Sequence, residues 1–466
     1  MKSVFFKEIM DKILRNHNKI IKSKDQKDIY HELKKQFSKR YLAFVALMAY
    51  LGWGLVNTDG NLVLVLSSLI TNSLNISIQE YSYVVSAGFA ASFVLSLFMG
   101  PLIDRFGRKL IFQITLLGTA AFSMLQYFIG NFWQWLLIRI AAGAFTGGEW
   151  SVGATILTET ISKRIRGVML SIMQSGWVFG YATASAIALL SVALFGQEYG
   201  WRVAFLFAFL PAILVLIARR YVQETPRYLH LKAIRDAKKK GDENEVKRLM
   251  ELYKVDLEKV DYHPYKQLFA KDLRRITIVL AFWNFLTTGV AITTNAFQPI
   301  YFTSVKGFSF AEVTTLFTVI GYAGVIGYII NGILNDLIGA KYSIIIFATL
   351  QTIGILWLIY VHDLLSLWIA YTLFFFTENG QFAALIRMNT ESFPTRVRGT
   401  GSAWGAAFWS LGQAVWPLIF AAFIPLLTFD GAWLWIEVVP ELIGIAIFGI
   451  FMKNIPPRRE LEEIAT

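Results

Sequence analysis

Gly100-Pro101-Leu102-Ile103-Asp104-Arg105-Phe106-Gly107-Arg108-Lys109 closes one long apolar run, and Gly332-Ile333-Leu334-Asn335-Asp336-Leu337-Ile338-Gly339-Ala340-Lys341 closes another 232 residues later. The Asp, the second Gly and the Lys keep that register. Glu159 to Gly167 reads ETISKRIRG and Glu391 to Gly399 reads ESFPTRVRG, again 232 apart, and Trp201 and Trp433 share the offset. Three separated matches in one register mark an internal duplication. Two copies of one unit predict a pseudo-two-fold axis and a central cavity between the halves.

Around these loops the chain is apolar. Of its 466 residues 55% are hydrophobic and 16% charged, with a mean hydropathy of +0.51. A soluble domain carries about 25% charged residues. A spanning helix needs about 20 predominantly apolar residues. Twelve such runs fall near 41–68, 82–103, 109–129, 132–158, 167–193, 201–220, 275–302, 311–335, 341–361, 364–389, 399–427 and 431–452. The expected fold is an all-α polytopic membrane protein, with twelve transmembrane helices in two pseudo-symmetric six-helix bundles. Its parts are a basic N-terminal segment 1–40, a first bundle 41–220, a linker 221–272 with short helices, for example through Ile234–Tyr253, a second bundle 273–452 and a tail 453–466.

Forty of the 44 Lys and Arg lie in 1–40, 105–109, 163–166, 219–275 and 396–398, at Lys341 and from Lys453 onward. Those are the termini and alternate connections. The bias places both termini and the linker in the cytoplasm of an integral membrane protein, with the plasma membrane as its expected site. Of the other four, Arg202 and Lys306 sit near the opposite face, and Arg139 and Arg387 within helices. The net charge of +12 is thus topological and directed at anionic lipid, and no nucleic acid is expected. Residues 1–40 have no apolar core beside a small-residue cleavage site, so they are not a signal peptide. They read as a basic amphipathic segment on the headgroups. The absence of cysteine excludes disulfides and thiolate metal sites. No Gly-x-x-x-x-Gly-Lys-[Ser/Thr] cradle supports ATP-driven transport, no cofactor or metal is expected, and the chain does not read as an enzyme. Asn75-Ile76-Ser77 is a glycosylation sequon in an outer loop.

The loop at 100–109 matches G-x-L-x-D-R-x-G-R-K, the loop signature of the major facilitator superfamily, in full. Arg139, Gly143 and the run Gly147-Gly148-Glu149-Trp150 resemble the fourth helix of metabolite:proton symporters. Glu224-Thr225-Pro226-Arg227-Tyr228-Leu229 and the tail Arg459-Glu460-Leu461-Glu462-Glu463-Ile464 resemble sugar porters and their relatives. The resemblance covers the chain from about Phe37. It implies a transporter of the metabolite:proton symporter or sugar porter branch that works by alternating access, as a monomer, with a small-molecule substrate, the proton and the lipid bilayer as partners.

Candidate gating residues follow. Gly100 and Gly107 allow close approach and a tight turn. Asp104 can receive backbone N–H groups from a helix start. Arg105, Arg108 and Lys109 sit at the headgroups and can pair with carboxylates across the half. The resemblance implies a latch here, together with Glu159, Arg166, Glu224, Arg227, Asp336, Glu391 and Arg398. Arg164, Arg166, Arg396 and Arg398 are the expected partners of Glu159 and Glu391. The second copy of the loop has Leu337 and Ala340 in place of the arginines and predicts a weaker latch.

Ionisable residues inside a membrane are functional candidates by default. Asp59 lies about 27 Å into the first helix and Arg139 about 10 Å into the fourth, at similar depth. A carboxylate beside an arginine stays ionised, and moving the arginine away favours its protonated form. Asp59, Arg139 and the deeper Glu149 are therefore the candidate proton-coupling groups; a static packing pair is the alternative. Glu378 and Gln381 lie one turn apart on the tenth helix. Glu437 and Glu441 lie one turn apart on the twelfth, Glu437 near the outer interface and solvated. Arg387 is expected to snorkel to the cytoplasmic interface. The cavity-lining helices of the family imply Trp53, Asn57, Trp150, Gln174, Trp177, Thr293, Asn295, Gln298, Trp404 and Gln413 as substrate contacts, with Glu378 and Gln381. The fourth-helix motif favours an organic acid. A sugar ranks second because helix seven, FWNFLTTGVAITTNAFQPIYF, lacks the paired glutamines of sugar porters. Val56 stands where symporters carry an acid. A cation or drug exporter and a transporter-like nutrient sensor rank below.

Overall fold

The computed structural model describes residues 39–161, 166–222, 224–225, scattered positions in 237–246, residue 266, and residues 268–393 and 398–455. The N-terminal segment, most of the linker and the tail from 456 lie outside the described residues, as do Arg164, Arg227 and Arg396.

The described residues are helical and form twelve crossings. The first is Lys39–Val65 continued by Ser67–Leu74, the second Ile78–Phe106, the third Arg108–Leu125 and the fourth Phe132–Thr160. Arg166–Gln174 and the start of Gly176–Leu206 make the fifth, and the rest of that helix with Leu210–Tyr221 makes the sixth. The seventh is Arg274–Ile300, the eighth Phe310–Ala323 with Val325–Ile338, the ninth Ala340–Ile359 and the tenth Leu364–Glu391. Arg398–Ala432 holds the eleventh and begins the twelfth, which continues through a π-helical stretch, Trp433–Val438, into Val439–Phe451. Eight stretches are apolar and long enough to span a membrane. Two of these, Met169–Leu214 and Thr400–Phe451, hold two crossings each. The fourth and tenth crossings miss that count because their interiors carry polar residues.

The duplication extends to backbone chemistry. At the face away from the termini, Ser77 and Glu80 form a capping box that starts the second crossing, and Ser309 and Glu312 form one at the eighth. Asn131 caps the fourth crossing through Gln134 N–H, and Asp363 caps the tenth through Ser366 N–H. Left-handed residues recur as well: Asn75 with Gly307, Gly107 with Gly339, and Gly196 with Thr428. Each of these five correspondences spans 232 residues. The punctuation of the fold was thus copied along with the apolar runs.

Within the first half the first crossing packs on the fifth and the second on the fourth; in the second half the seventh packs on the eleventh and the ninth on the tenth. The halves meet where the second crossing lies against the eleventh and the fifth against the eighth. Close approach of the second and fourth crossings needs glycine at 143, because a Cβ there would strike the Gly88 backbone. Large apolar side chains such as Leu194 and Leu426 point outward, at 75% and 76% exposure, as lipid requires. The seventh crossing is buried almost throughout, so its polar side chains face protein.

Candidate functional site

Asp59 is 2% exposed, and three crossings converge on it. Arg139 Nη1 of the fourth crossing lies 3.1 Å from its Oδ2. Gln126 Nε2, at the end of the third, donates to its Oδ1 at 2.8 Å, and Trp135 Nε1 donates to Gln126 Oε1 at 3.1 Å. Gly88 leaves room for the guanidinium against the second crossing. Neutral donors thus brace the carboxylate side of the pair, while Arg139 Nε is buried without a partner.

Glu149 is fully buried nearly three turns below Arg139 on the fourth crossing, about 15 Å along it. Thr115 Oγ1 donates to one of its oxygens at 2.8 Å, while the other leans on Gly52 of the first crossing without a partner. Trp150 Nε1 donates to Gln174 Oε1 at 2.8 Å, and Tyr328 of the eighth crossing approaches Gln174 from the other half. Trp53 leaves its indole N–H unbonded, and Asn57 donates to Trp53 O in its own helix at 2.7 Å.

Toward the face away from the termini the halves are joined by aromatic rings. Trp177 stacks on Tyr181, and Tyr181 meets Phe317 and Phe375 of the second half, with centroids 5.2–5.7 Å apart. Tyr371 donates its hydroxyl to Tyr181 Oη at 3.3 Å, and Tyr81 donates to Ala296 O at 3.0 Å. Passage between the halves on that side needs these contacts broken.

In the second half Asn295 Nδ2 donates to Glu378 Oε1 at 2.6 Å. Gln381 donates to Gln351 and accepts from Thr287 at 3.4 Å. Thr293 Oγ1 and both amide atoms of Gln298 are buried without partners. Two expected contacts stand apart. Trp404 donates to Thr277 O at 3.3 Å and packs on Phe269 near the termini face, and Gln413 is half-buried on the eleventh crossing.

Glu437 corrects its expected placement. It is 0% exposed and accepts from Thr294 Oγ1 at 3.1 Å. The turn into the twelfth crossing comes at Thr428, so Glu437 lies about 13 Å past it and inside the bundle.

At the termini face, Arg108 makes a two-pronged pair with Glu159, both contacts 3.0 Å, and is 2% exposed, inside protein and away from headgroups. Thr225 Oγ1 donates to Glu159 at 2.6 Å. The helix start after Gly107 gives its N–H groups to Glu224: Arg108 N donates at 3.0 Å and Lys109 N at 3.2 Å. Arg105 is exposed, its guanidinium over the Phe106 ring. The side chains of Gly100, Asp104, Arg166 and Arg398 are outside the described set. In the second half Asn454 replaces Glu224, accepting from Lys341 N at 3.1 Å. Arg387 corrects its snorkelling assignment. It donates to Glu391 at 2.9 Å and sits 3.6 Å from Asp336, taking the place of the arginine missing at Ala340.

The model of the Major Facilitator Superfamily matches residues 42–376 and 280–465, which together take in almost the whole chain. The chain belongs to this superfamily. As a major facilitator protein it is 26% identical over 360 residues to a "Probable 4-methylmuconolactone transporter" of Cupriavidus pinatubonensis, covering 75% of this chain and 76% of that one. It is 26% identical to the "Putative niacin/nicotinamide transporter NiaP" of Bacillus subtilis, covering 80% and 86%. The inward open xylose transporter XylE from E. coli shares the fold at TM-score 0.72 and 17% identity, covering 91% of this chain and 99% of that one. It is a metabolite transporter and not an enzyme. Sequence reasoning passed over Gln126, Gly52 and the Tyr181–Tyr371 bond. Gln126 is an amide in an apolar run, a signal of the same kind as Gln174, and Tyr181 and Tyr371 carry no such mark among the 19 tyrosines of the chain.

Proposed function

We propose that the chain is a secondary active transporter that carries a small polar metabolite, in the first place an organic acid, together with protons by alternating access. The Asp59–Arg139 pair carries this reading. A carboxylate held by one guanidinium inside a dry interior is stable while the pair stands, and it takes up a proton once the arginine is drawn away. Solute bound between the halves supplies the force that shifts the fourth crossing, and the far-face contacts of Tyr81 and Tyr181 open in the other state. The relatives' names, 4-methylmuconolactone and niacin or nicotinamide, support a small organic solute. The buried arginines 108 and 139 are already paired, so an acid group would be met by neutral donors such as Trp53 Nε1. The second reading is a sugar. It is favoured by Thr293, whose buried hydroxyl without a partner suits a hydroxyl-rich neutral solute. The charge asymmetry of the connections supports cytoplasmic termini in a plasma membrane.

The test is uptake into proteoliposomes of labelled nicotinate, gentisate and xylose, with and without an inward proton gradient, for wild type and Asp59→Asn. Gradient-driven accumulation of an acid, lost in Asp59→Asn while exchange survives, is the expected result. Accumulation of xylose moves the protein to the second reading. Equilibration without accumulation in both variants refutes proton coupling.

A further inference from the structure

The twelfth crossing holds two carboxyls that the reading above does not use. Glu437 and Glu441 are each 0% exposed. Thr294 Oγ1 donates to Glu437 Oε2 at 3.1 Å and Thr287 Oγ1 to Glu441 Oε1 at 3.1 Å. The second oxygen of each, Glu437 Oε1 and Glu441 Oε2, has no partner. Among the described residues no Lys, Arg or His comes within ion-pair distance of either.

The surroundings offer no remote compensation. The seventh crossing has its charges at the ends, at Arg274, Arg275 and Lys306, and the ninth has Lys341 at its end. Asp430, at the start of the twelfth, is at the far face with Lys306 and Tyr301. The tenth presents Glu378, one more carboxyl, while its Arg387 is engaged with Glu391 and Asp336 at the other end. Two ionised carboxylates one turn apart, with a third nearby, would each cost several kcal/mol in such an interior. A neutral carboxyl costs far less and adds a donor.

An independent observation points to a ligand here. At 100° per residue, Thr287, Thr294 and Gln298 fall within a narrow arc of the seventh crossing, with Asn295 at its edge. Gln298 therefore lies one turn beyond Thr294 on the arc turned toward the twelfth crossing. Its amide is fully buried and neither atom has a partner.

We propose that Glu437, with Glu441 as its neighbour, is a proton-binding site inside the second half, set behind the seventh crossing and separate from Asp59. The proton adds to Glu437 Oε1, the oxygen without a partner, and Oε2 keeps the bond from Thr294. Because Thr294 belongs to the seventh crossing, a shift of that helix alters the hydrogen bond to Oε2 and with it the hold of the carboxyl on its proton. Use of that proton in transport rests on the transporter reading; the site itself does not.

Infrared difference spectroscopy of the full chain in lipid, stepped in pH with no solute present, tests the site. The expected spectrum contains protonated-carboxyl bands that persist in Asp59→Asn, with one carboxyl's share lost in Glu437→Gln and another in Glu441→Gln. Thr294→Val keeps the side-chain shape, removes the only hydrogen-bond donor to Glu437 among the described residues, and shifts that carboxyl's band toward the free-acid position. This variant decides the matter should a glutamine variant fail to fold. Wild-type spectra in all three variants overturn the proposal. So does a band that sodium removes at constant pH and potassium leaves, since that identifies a sodium site. A retained proton band with no uptake of nicotinate, gentisate or xylose refutes the transport reading alone.

Discussion

The two halves descend from one unit, yet among the described residues only the first holds a deeply buried carboxylate against a cation, Asp59 against Arg139; its other buried acid, Glu149, rests on Thr115 alone, as the acids of the second half rest on neutral groups. The first half neutralises Asp59 with Arg139 across two helices and braces the pair with Gln126. The second buries Glu378, Glu437 and Glu441 against threonine and asparagine alone. A paired carboxylate answers to the position of its partner, so it reports helix movement. An unpaired carboxyl among hydroxyls answers to proton supply. The duplication therefore gave one protein two different kinds of acidic site on equivalent scaffolds.

The contrast breaks most visibly at Arg139. Replacing it with Leu leaves Asp59 buried beside Gln126 with no cation, and removal of one partner of a buried pair costs about 3–5 kcal/mol. A large drop in thermal midpoint in detergent is expected. Much of it returns in the double variant Asp59→Asn/Arg139→Leu, which removes the stranded charge. An equal drop in single and double variants would mean that the site is held by packing.

The termini face offers the next test. Arg108 and Glu159 are 3% and 10% exposed at the side chain, whereas Arg387 reaches an Asp336 that is 74% exposed. Arg108→Ala is expected to cost about 3 kcal/mol as the loss of a mostly buried pair. Arg387→Ala is expected to cost about 1 kcal/mol or less, as surface pairs do. Equal losses by denaturant titration would show that the second cradle matches the first despite Ala340.

A third, smaller effect compares the two matching turns. Gly196 adopts φ 76° and ψ 171°, and Thr428 adopts φ 63° and ψ 174°. That region is almost confined to glycine and strains other residues by about 1–3 kcal/mol. Thr428 recovers part of this by accepting from Gly431 N at 3.4 Å. Thr428→Gly is expected to raise stability by about 1 kcal/mol and Gly196→Thr to lower it, both measured by thermal melts.

These differences explain which features could be read from the chain. Helix number and the duplication were legible because apolar runs and loop signatures are local. Asp59 and Arg139 were legible because charge inside an apolar run is conspicuous. The surroundings of Glu437 were not, because they depend on where the chain turns, and Thr428 is a residue that does not advertise a left-handed turn. Arg387 was misjudged in part because Asp336 comes from the end of another helix, a tertiary fact, whereas its bond to Glu391, one turn on in its own helix, was open to reading from the chain. Gln126 and Thr294 bind carboxyls without charge of their own, so hydropathy passes over them.

The smallest effect is the most discriminating. Asp59→Asn and Glu437→Gln are the same chemical change, carboxyl to amide at equal size. In the first half it strips Arg139 of its counter-charge, so a clear loss of stability follows. In the second half a neutral group replaces a neutral group. The Thr294 hydroxyl still donates to the side-chain oxygen, and the amide takes the place of the acid O–H. Glu437→Gln is therefore expected to shift stability by less than about 1 kcal/mol near neutral pH, within the ordinary range for a tolerated substitution. Paired melts of the two variants measure the difference directly. A loss in Glu437→Gln as large as that in Asp59→Asn would mean that Glu437 carries a charge held by a cation. The two halves would then differ in the identity of the counter-charge and not in its presence.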